Sequence, residues 1–200
     1  MRPDQFSCFI DPETRVPLRL DQPSIVDGQV VSGALVDPSG GERFRIRNGI
    51  ARFVPSTNYV QNFGLQWKIH SRTQLDSHNG STYSRDRWKE VSGWDDDLRG
   101  KNILEAGSGA GRFTEVLAST GADVYSFDFS EAVEANRENN GHFPNLNVFQ
   151  ADVYRIPLAK GSFDHVFCLG VIQHTPDPAL TFQCLASMLK PGGRLASTCT

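Results

Sequence analysis

The sequence predicts an α/β fold in which parallel strands alternate with helices in a doubly wound sheet. Apolar segments of strand length recur through the second half of the chain, and turns or helix-like segments separate them. The first of these strands runs into alternating glycines, and the next two each end in an aspartate, Asp128 and Asp152. Strands alternating with helical segments are typical of parallel sheets that carry helices on both faces.

The first strand and the turn after it form the most informative segment of the chain. The apolar strand reaches Leu104, and Gly107, Gly109 and Gly111 follow at every second position. Glycine tolerates positive φ and leaves room for a ligand against the backbone. The helix predicted over about 112–120 directs its free N–H groups back towards this turn. The arrangement indicates a nucleoside cofactor, and an ordinary loop between strand and helix is the alternative.

The glycine spacing separates two classes of cofactor. The dinucleotide fingerprint Gly-x-Gly-x-x-Gly would require glycine at position 112, where helix and strand pack closely. Arg112 occupies that position, and the third glycine is Gly111. The spacing therefore argues against a nicotinamide cofactor, and an NAD(P)-dependent oxidoreductase is the less favoured alternative.

Acidic residues end the second and third strands. Asp128 follows the glycine turn by about twenty residues, where a carboxylate can accept hydrogen bonds from both ribose hydroxyls. The alternative is a helix cap, because Asp128 or Ser130 could begin a helix over 131–140. We expect both, with Ser130 as the cap and Asp128 as the ribose ligand. Asp152 could recognise a nucleobase, and the alternative is that it is simply an aspartate in a solvated turn.

The remaining segments complete the alternation. A turn at Gly161 precedes an apolar fourth strand, which leads into a loop ending at His174. Lys-Pro-Gly-Gly at 190–193 is expected to end a helix and to start a fifth strand. Glycine adopts the left-handed cap of a helix, and proline cannot continue its hydrogen bonds.

Glu105-x-Gly107-x-Gly109-x-Gly111, the acid-terminated strands and the Lys-Pro-Gly-Gly turn together resemble class I S-adenosylmethionine (SAM)-dependent methyltransferases of the type 11 kind. The resemblance covers residues 100–200. It implies a Rossmann-like sheet with strand order 3-2-1-4-5. It also implies transfer of the SAM methyl group to an oxygen, nitrogen or carbon of a small-molecule acceptor. The family's sheet normally closes with further strands, so we expect the C-terminal strands to be missing from this sequence.

The same resemblance implies which residues bind SAM. The glycine turn, anchored by Glu105, would accept the methionine and ribose portions, and Asp152 with the Val153 backbone would recognise adenine. Either Arg72 or Arg112 could pair with the cofactor carboxylate. The complete expected set is Glu105, Gly107, Ser108, Gly109, Gly111, Arg112, Asp128, Phe129, Ser130, Asp152, Val153, Leu169, Gly170 and Arg72.

Methyl transfer from SAM depends on positioned reactants, so a nucleophilic triad or a catalytic metal is not expected. A hydroxyl acceptor would need a general base, and His174 is the candidate catalytic residue. The alternative is a loop histidine that shapes the pocket by hydrogen bonding. A non-catalytic SAM-binding or partner module is the alternative function.

Residues 1–56 predict a small β-rich module, because short β-like runs alternate with Pro, Gly and Asp turns. Its ending at 48–55 resembles that of zinc-ribbon modules fused ahead of methyltransferases, kin to the activator subunit of tRNA methyltransferases. Cys8 has no paired cysteine, so we expect no metal, and an unrelated β-hairpin extension is the alternative. The residues expected to hold the module are Phe6, Leu18, Leu20, Val30, Leu35, Phe44 and Ile46.

Residues 57–99 are expected to form a helical linker or lid ahead of the SAM-binding domain at 100–200. Tyr59, Phe63 and Trp67 recur at helical spacing. This aromatic stripe could dock the helix on the main domain or border the cofactor pocket. A further helix is predicted near 84–91.

Composition favours a globular protein of the cytoplasm. The net charge is −3, and no basic segment interleaved with aromatic residues indicates a nucleic acid partner. No apolar run approaches the roughly 18 residues of a membrane span. The four cysteines are scattered and predict no disulfide framework. The acceptor, the methylated atom and the oligomeric state stay open.

Overall fold

The computed structural model describes residues 1–54 and 75–198. The strands in these ranges are β1 Arg19–Val26, β2 Gln29–Val36, β3 Glu42–Arg47, β4 Ile50–Arg52, β5 Asn102–Ala106, β6 Asp123–Asp128, β7 Leu146–Gln150, β8 Phe163–Leu169 and β9 Leu189–Thr198. The α-helices are α1 Asp76–Asn79, α2 Tyr83–Ser92, α3 Arg112–Ser119, α4 Ala132–Asn140 and α5 Pro178–Ala186. Short 3-10 helices cover Pro3–Cys8 and Ile172–His174. None of the described helices has the length and apolar character to cross a membrane.

The described strands form one sheet in the order β1-β2-β3-β4-β7-β6-β5-β8-β9. Neighbours from β1 to β4 run antiparallel, and neighbours from β4 to β9 run parallel. Strand β5 lies between β6 and β8, so that Leu104 pairs with Tyr125 on one side and Val166 on the other. The carboxyl ends of the parallel strands share one edge of the sheet, which is where open α/β sheets bind ligands.

The inner parallel strands are largely buried because both faces of the sheet are covered. Every residue of β7 is buried, which is typical of strands with protein on both sides. Successive residues point to opposite faces, so Leu104 joins one apolar cluster and Ile103 joins the other. The Ile103 cluster includes Trp88 of α2 and Val116 of α3. The helices that follow β5 and β6 therefore pack on this face.

The N-terminal strands extend this sheet and share its core. β4 pairs in parallel with β7, and Arg52 lies opposite Gln150. The ring centroid of Phe9 lies 5.0 Å from that of Phe53 and 5.3 Å from that of Phe149. The residues expected to hold the module lie in or against the apolar cluster that contains these rings: Phe6, Leu18, Leu20, Val30, Leu35, Phe44 and Ile46. They pack on the sheet as well as on one another.

The helices predicted near 84–91, 112–120 and 131–140 are confirmed as α2, α3 and α4, with bounds that differ by one residue at most. The aromatic stripe at Tyr59, Phe63 and Trp67 lies outside the described residues. The choice between a docking helix and a lid therefore stays open, and the domain boundaries near 56 and 99 stay predictions.

The Lys-Pro-Gly-Gly segment does not end a helix, so that expectation was wrong. Helix α5 ends at Ala186, and β9 already begins at Leu189. Leu189 lies opposite Phe163, and the register then shifts before β9 pairs with His165. Proline lacks an N–H, and Gly192 has a φ of +78°. These residues interrupt the regular hydrogen bonding between β8 and β9. They therefore form an irregularity within β9 and not the end of a helix.

Candidate cofactor site

The glycine turn joins β5 to α3 and is tied to the end of β6. The backbone N–H groups of Gly107 and Ser108 both donate to Phe127 O, at 2.8 and 3.0 Å. Gly107, Gly109 and Gly111 have φ values of 75°, 53° and 91°. Residues with a side chain rarely adopt these values, so the glycines permit the turn.

Two of these glycines make room for the chain's own side chains. A Cβ at Gly107 would lie 2.2 Å from Cγ2 of Val171, which follows β8. A Cβ at Gly111 would lie 2.2 Å from both Asn136 Oδ1 and Asn140 Nδ2 of α4. The sequence indicated space for a ligand at these positions. The structure shows close packing of the turn against the β8 loop and against α4.

Asp128 connects the turn to the start of α4. Its Oδ2 accepts a hydrogen bond from Gly109 N at 2.9 Å. Its Oδ1 accepts from Ser130 N at 2.8 Å and from Ser130 Oγ at 2.7 Å. Ser130 Oγ in turn accepts from Ala132 N at 3.2 Å, which ties Ser130 to the start of α4, but the N-cap residue of this helix is Glu131 and not Ser130 as expected. A carboxylate accepts about four hydrogen bonds, so Asp128 can still accept from a ligand.

Glu105 lies beneath the turn in a buried polar network. It is 2% exposed, and its Oε2 accepts from Thr114 Oγ1 at 2.5 Å and from Ser126 Oγ at 2.6 Å. Asn136 Nδ2 donates to both hydroxyl oxygens, at 3.0 and 3.1 Å. Burial raises the pKa of Glu105 to about 7, although the two hydroxyl hydrogen bonds oppose the rise. Glu105 thus ties β5 to β6, α3 and α4.

Two buried polar atoms, one in the glycine turn and one in the loop after β8, have no hydrogen-bond partner among the described residues. They are Ser108 Oγ in the turn and Gln173 Oε1 in the 3-10 helix after β8. Ser108 is 7% exposed, and Gln173 is close in sequence to Val171, which packs on Gly107. A buried polar atom without a partner indicates a ligand or water. The pair fits a polar ligand between the turn and the β8 loop.

The loop after β7 lies beside Asp128. Ala151 N donates to Asp128 O at 3.1 Å, which places this loop next to the β6 turn. Asp152 Oδ1 accepts from Tyr154 N at 2.9 Å and so forms the turn that was its alternative reading. A carboxylate in such a turn keeps lone pairs for a ligand, so adenine recognition by Asp152 stays a prediction. Three other expected residues of this edge, Phe129, Val153 and Leu169, are half-buried, and Gly170 is exposed.

Arg112 is engaged by α2. Its Nε donates to Ser84 Oγ at 3.0 Å. Its guanidinium carbon lies 5.0 Å from the ring centroid of Tyr83 and 4.8 Å from that of Phe113. These contacts fix Arg112 at the start of α3. The alternative carboxylate ligand, Arg72, lies outside the described residues.

His174 is exposed at the end of the 3-10 helix after β8. Its backbone N–H donates to Val171 O at 2.9 Å, which holds the loop in a tight turn. The structure places His174 on the loop after β8, which packs against the glycine turn through Val171. Its role as a general base stays a prediction.

Sequence reasoning missed several residues that shape this edge, including Val171, Asn136 and Gln150. Asn136 and Asn140 had a detectable signal, because polar side chains four residues apart share one face of a helix. Val171 and Gln150 had none, since their contacts depend on tertiary structure.

Comparison with known proteins identifies the part of the chain that carries this site. Residues 104–197 match the family model described as a methyltransferase domain. The prediction of a SAM-dependent methyltransferase sheet is confirmed at that level.

A curated relative is the ubiquinone biosynthesis O-methyltransferase of Coxiella burnetii. It is 34% identical over 100 residues, which cover 49% of this chain and 43% of that protein. The match to this relative therefore spans less than half of its length.

Solved structures of methyltransferases share the fold of this part of the chain. A chain of the complex between the Haloferax volcanii Trm112 methyltransferase activator and a methyltransferase aligns with a TM-score of 0.58 and 22% identity, covering 71% of this chain and 61% of that one. Phosphoethanolamine N-methyltransferase 1 of Haemonchus contortus, in complex with S-adenosylhomocysteine, aligns with a TM-score of 0.50 and 28% identity, covering 64% of this chain and 29% of that one. The family match, and the S-adenosylhomocysteine bound in the Haemonchus contortus structure, support SAM as the cofactor.

Proposed function

We propose that this protein transfers the methyl group of SAM to a small-molecule acceptor. The observation that carries the proposal is the contact between Gly109 N and Asp128 Oδ2 at 2.9 Å. It holds an acidic side chain at the carboxyl end of β6 against a glycine turn, within a methyltransferase domain. Ribose is recognised in this way in nucleotide-binding sheets.

The residues present suit the cofactor. Asp128 already accepts three hydrogen bonds and retains capacity to accept about one more, from a ribose hydroxyl. The buried Ser108 Oγ and Gln173 Oε1 would gain hydrogen bonds from the polar parts of the cofactor. Asp152 and the Val153 backbone would recognise the adenine edge, and the half-buried loop around Phe129 would lie beside it. SAM supplies an electrophilic methyl group when bound, so the chain's residues bind, orient and exclude water.

The acceptor is inferred to be an oxygen on a small molecule, because the curated relatives are named ubiquinone biosynthesis O-methyltransferases. Removal of the hydroxyl proton then requires a base, and His174 is exposed on the loop that packs against the glycine turn. Its general-base role is part of the proposal. Nitrogen and carbon acceptors are the other outcomes of the test below.

The test is a methyl-transfer screen with SAM labelled on its methyl group and a panel of phenols, alcohols, amines and carbon acids. We expect label to appear on a phenol or alcohol and His174→Ala to lower the turnover number without changing SAM affinity. Label on an amine or carbon acid would move the acceptor to nitrogen or carbon. SAM binding without transfer to any acceptor would instead support the non-catalytic module.

A further inference from the structure

Two loops at the carboxyl edge of the sheet carry the residues proposed for the nucleoside. One is the turn after β6, which contains Asp128 and Phe129, and the other is the segment 152–158 after β7. Residues 1–54 are here called the N-terminal region. This region donates hydrogen bonds directly to the loop after β7 and reaches the turn after β6 through the side chain of Gln150.

The N-terminal region holds the loop after β7 by three consecutive carbonyl groups. Arg15 Nη1 donates to Ile156 O at 3.0 Å, and Arg15 Nη2 donates to Leu158 O at 2.7 Å. Ile10 N donates to Pro157 O, the carbonyl between them, at 3.0 Å. Because a guanidinium presents its donors in a rigid fork, Arg15 fixes two carbonyls at once. The path of this loop is therefore set from outside the methyltransferase domain.

The turn after β6 is reached through a buried relay. Arg52 Nη1 donates to Gln150 Oε1 at 2.9 Å, and Gln150 Nε2 donates to Phe129 O at 2.9 Å. Arg52 and Gln150 are 9% and 4% exposed, and Arg52 also pairs with Glu134 of α4. An amide that both accepts and donates is fixed in one orientation. The relay therefore fixes the carbonyl next to Asp128.

We infer that the N-terminal region positions the nucleoside-binding loops of the methyltransferase domain, with Arg15 and Arg52 as positioning residues. The inference rests on the proposed function, because it takes these loops to bind the nucleoside of SAM. If the N-terminal region served only to cover the edge of the sheet at β7, the β4–β7 pairing and the apolar contacts beneath it would be sufficient. Donors aimed at loop carbonyls beyond the strand ends do more, because they order the loops before a ligand arrives and so reduce the entropy lost on binding.

Arg2 provides a matched control for Arg15. Its Nη1 donates to Pro144 O at 3.0 Å, a carbonyl just before β7 and at the opposite end of that strand from the loops. Arg2 and Arg15 are both exposed arginines of the N-terminal region. Replacement of either by alanine removes one surface anchor and leaves the core intact.

The experiment compares wild type, Arg15→Ala and Arg2→Ala in the full chain. Calorimetry measures the affinity for S-adenosylhomocysteine and for methylthioadenosine, which lacks the amino acid portion. Hydrogen exchange of the amides at 153–156 and of Leu158, on either side of Pro157, is measured without ligand. We expect Arg15→Ala to bind both ligands roughly tenfold more weakly and to exchange faster at these amides. Arg2→Ala should match wild type in both measurements.

Wild-type affinity in Arg15→Ala would overturn the inference. An equal loss in both variants would also overturn it, because edge coverage alone would then explain the effect. A loss of affinity without faster exchange would exclude positioning of the loop. Failure of wild type to bind either ligand would defeat the proposed function itself, and this is measured before any variant.

Discussion

Asp128 is the residue on which cofactor binding depends most directly. Asp128→Asn keeps the size of the side chain but removes its charge, and an amide cannot accept all the hydrogen bonds that Gly109, Ser130 and a ribose would donate. We expect binding of S-adenosylhomocysteine to weaken by about 1.5–3 kcal/mol, the usual contribution of a hydrogen bond to a charged group. Calorimetry measures the change.

Asp123 supplies the control for this substitution, since it is exposed at the other end of the same strand. Asp123→Asn should bind like wild type. Unchanged affinity in Asp128→Asn would show that this carboxylate does not bind the ribose.

The raised pKa of Glu105 predicts that the stability of the fold depends on pH. Burial raises its pKa to about 7 in the folded protein, against an ordinary value of 4.5. Between about pH 4.5 and pH 7 the unfolded chain loses this proton while the folded chain retains it. The free energy of unfolding therefore falls as pH rises through this range, by up to about 3 kcal/mol.

Urea unfolding of wild type and Glu105→Gln at pH 5 and at about pH 7.5 isolates this effect. Glutamine keeps an acceptor for Thr114 and Ser126 but does not titrate. We expect the difference in stability between the two proteins to shift in favour of Glu105→Gln at the higher pH. A stability difference between the two proteins that does not change with pH would contradict a raised pKa for Glu105.

At the scale of elements, the turn between β5 and α3 depends on close approach by α4. Gly111→Ala would place a Cβ against Asn136 and Asn140 at 2.2 Å and would force alanine into a φ of 91°. We expect a loss of about 1–3 kcal/mol in the free energy of unfolding. Thermal unfolding measures the loss.

Gly93→Ala separates the effect of steric contact with α4 from the effect of the positive φ. Gly93 ends α2 with a φ of 61°, and no described neighbour lies within 4 Å of its added Cβ. Gly93→Ala should therefore show only the cost of the backbone conformation. A loss as large as that of Gly111→Ala would mean that packing against α4 contributes nothing.

At the scale of the whole molecule, the shared core predicts that the N-terminal region and the sheet at 102–198 unfold together. Phe9 is fully buried between Phe53 and Phe149. Phe9→Ala should lower the free energy of unfolding by about 3–5 kcal/mol. Far-ultraviolet circular dichroism and tryptophan fluorescence should report one coincident transition, whereas two separate transitions would show independent domains.

Local pattern predicted the helices and the turn that begins α3, because periodicity and glycine spacing are properties of neighbouring residues. The pairing of β4 with β7 was not predicted, since an edge pairing between distant segments leaves no local signal. The break at Pro191 was detected but misplaced, because turn residues mark a bulge in a strand as well as the end of a helix. At the site, Asp128 was predicted from its position after a strand. The filling of the space at Gly107 by Val171 depends on tertiary packing.

The most direct test of the account is titration of the wild-type chain by calorimetry with S-adenosylhomocysteine and, separately, with NAD. The account predicts saturable binding of S-adenosylhomocysteine at one site and no heat from NAD. Saturable binding of NAD, or no binding of S-adenosylhomocysteine, would contradict it.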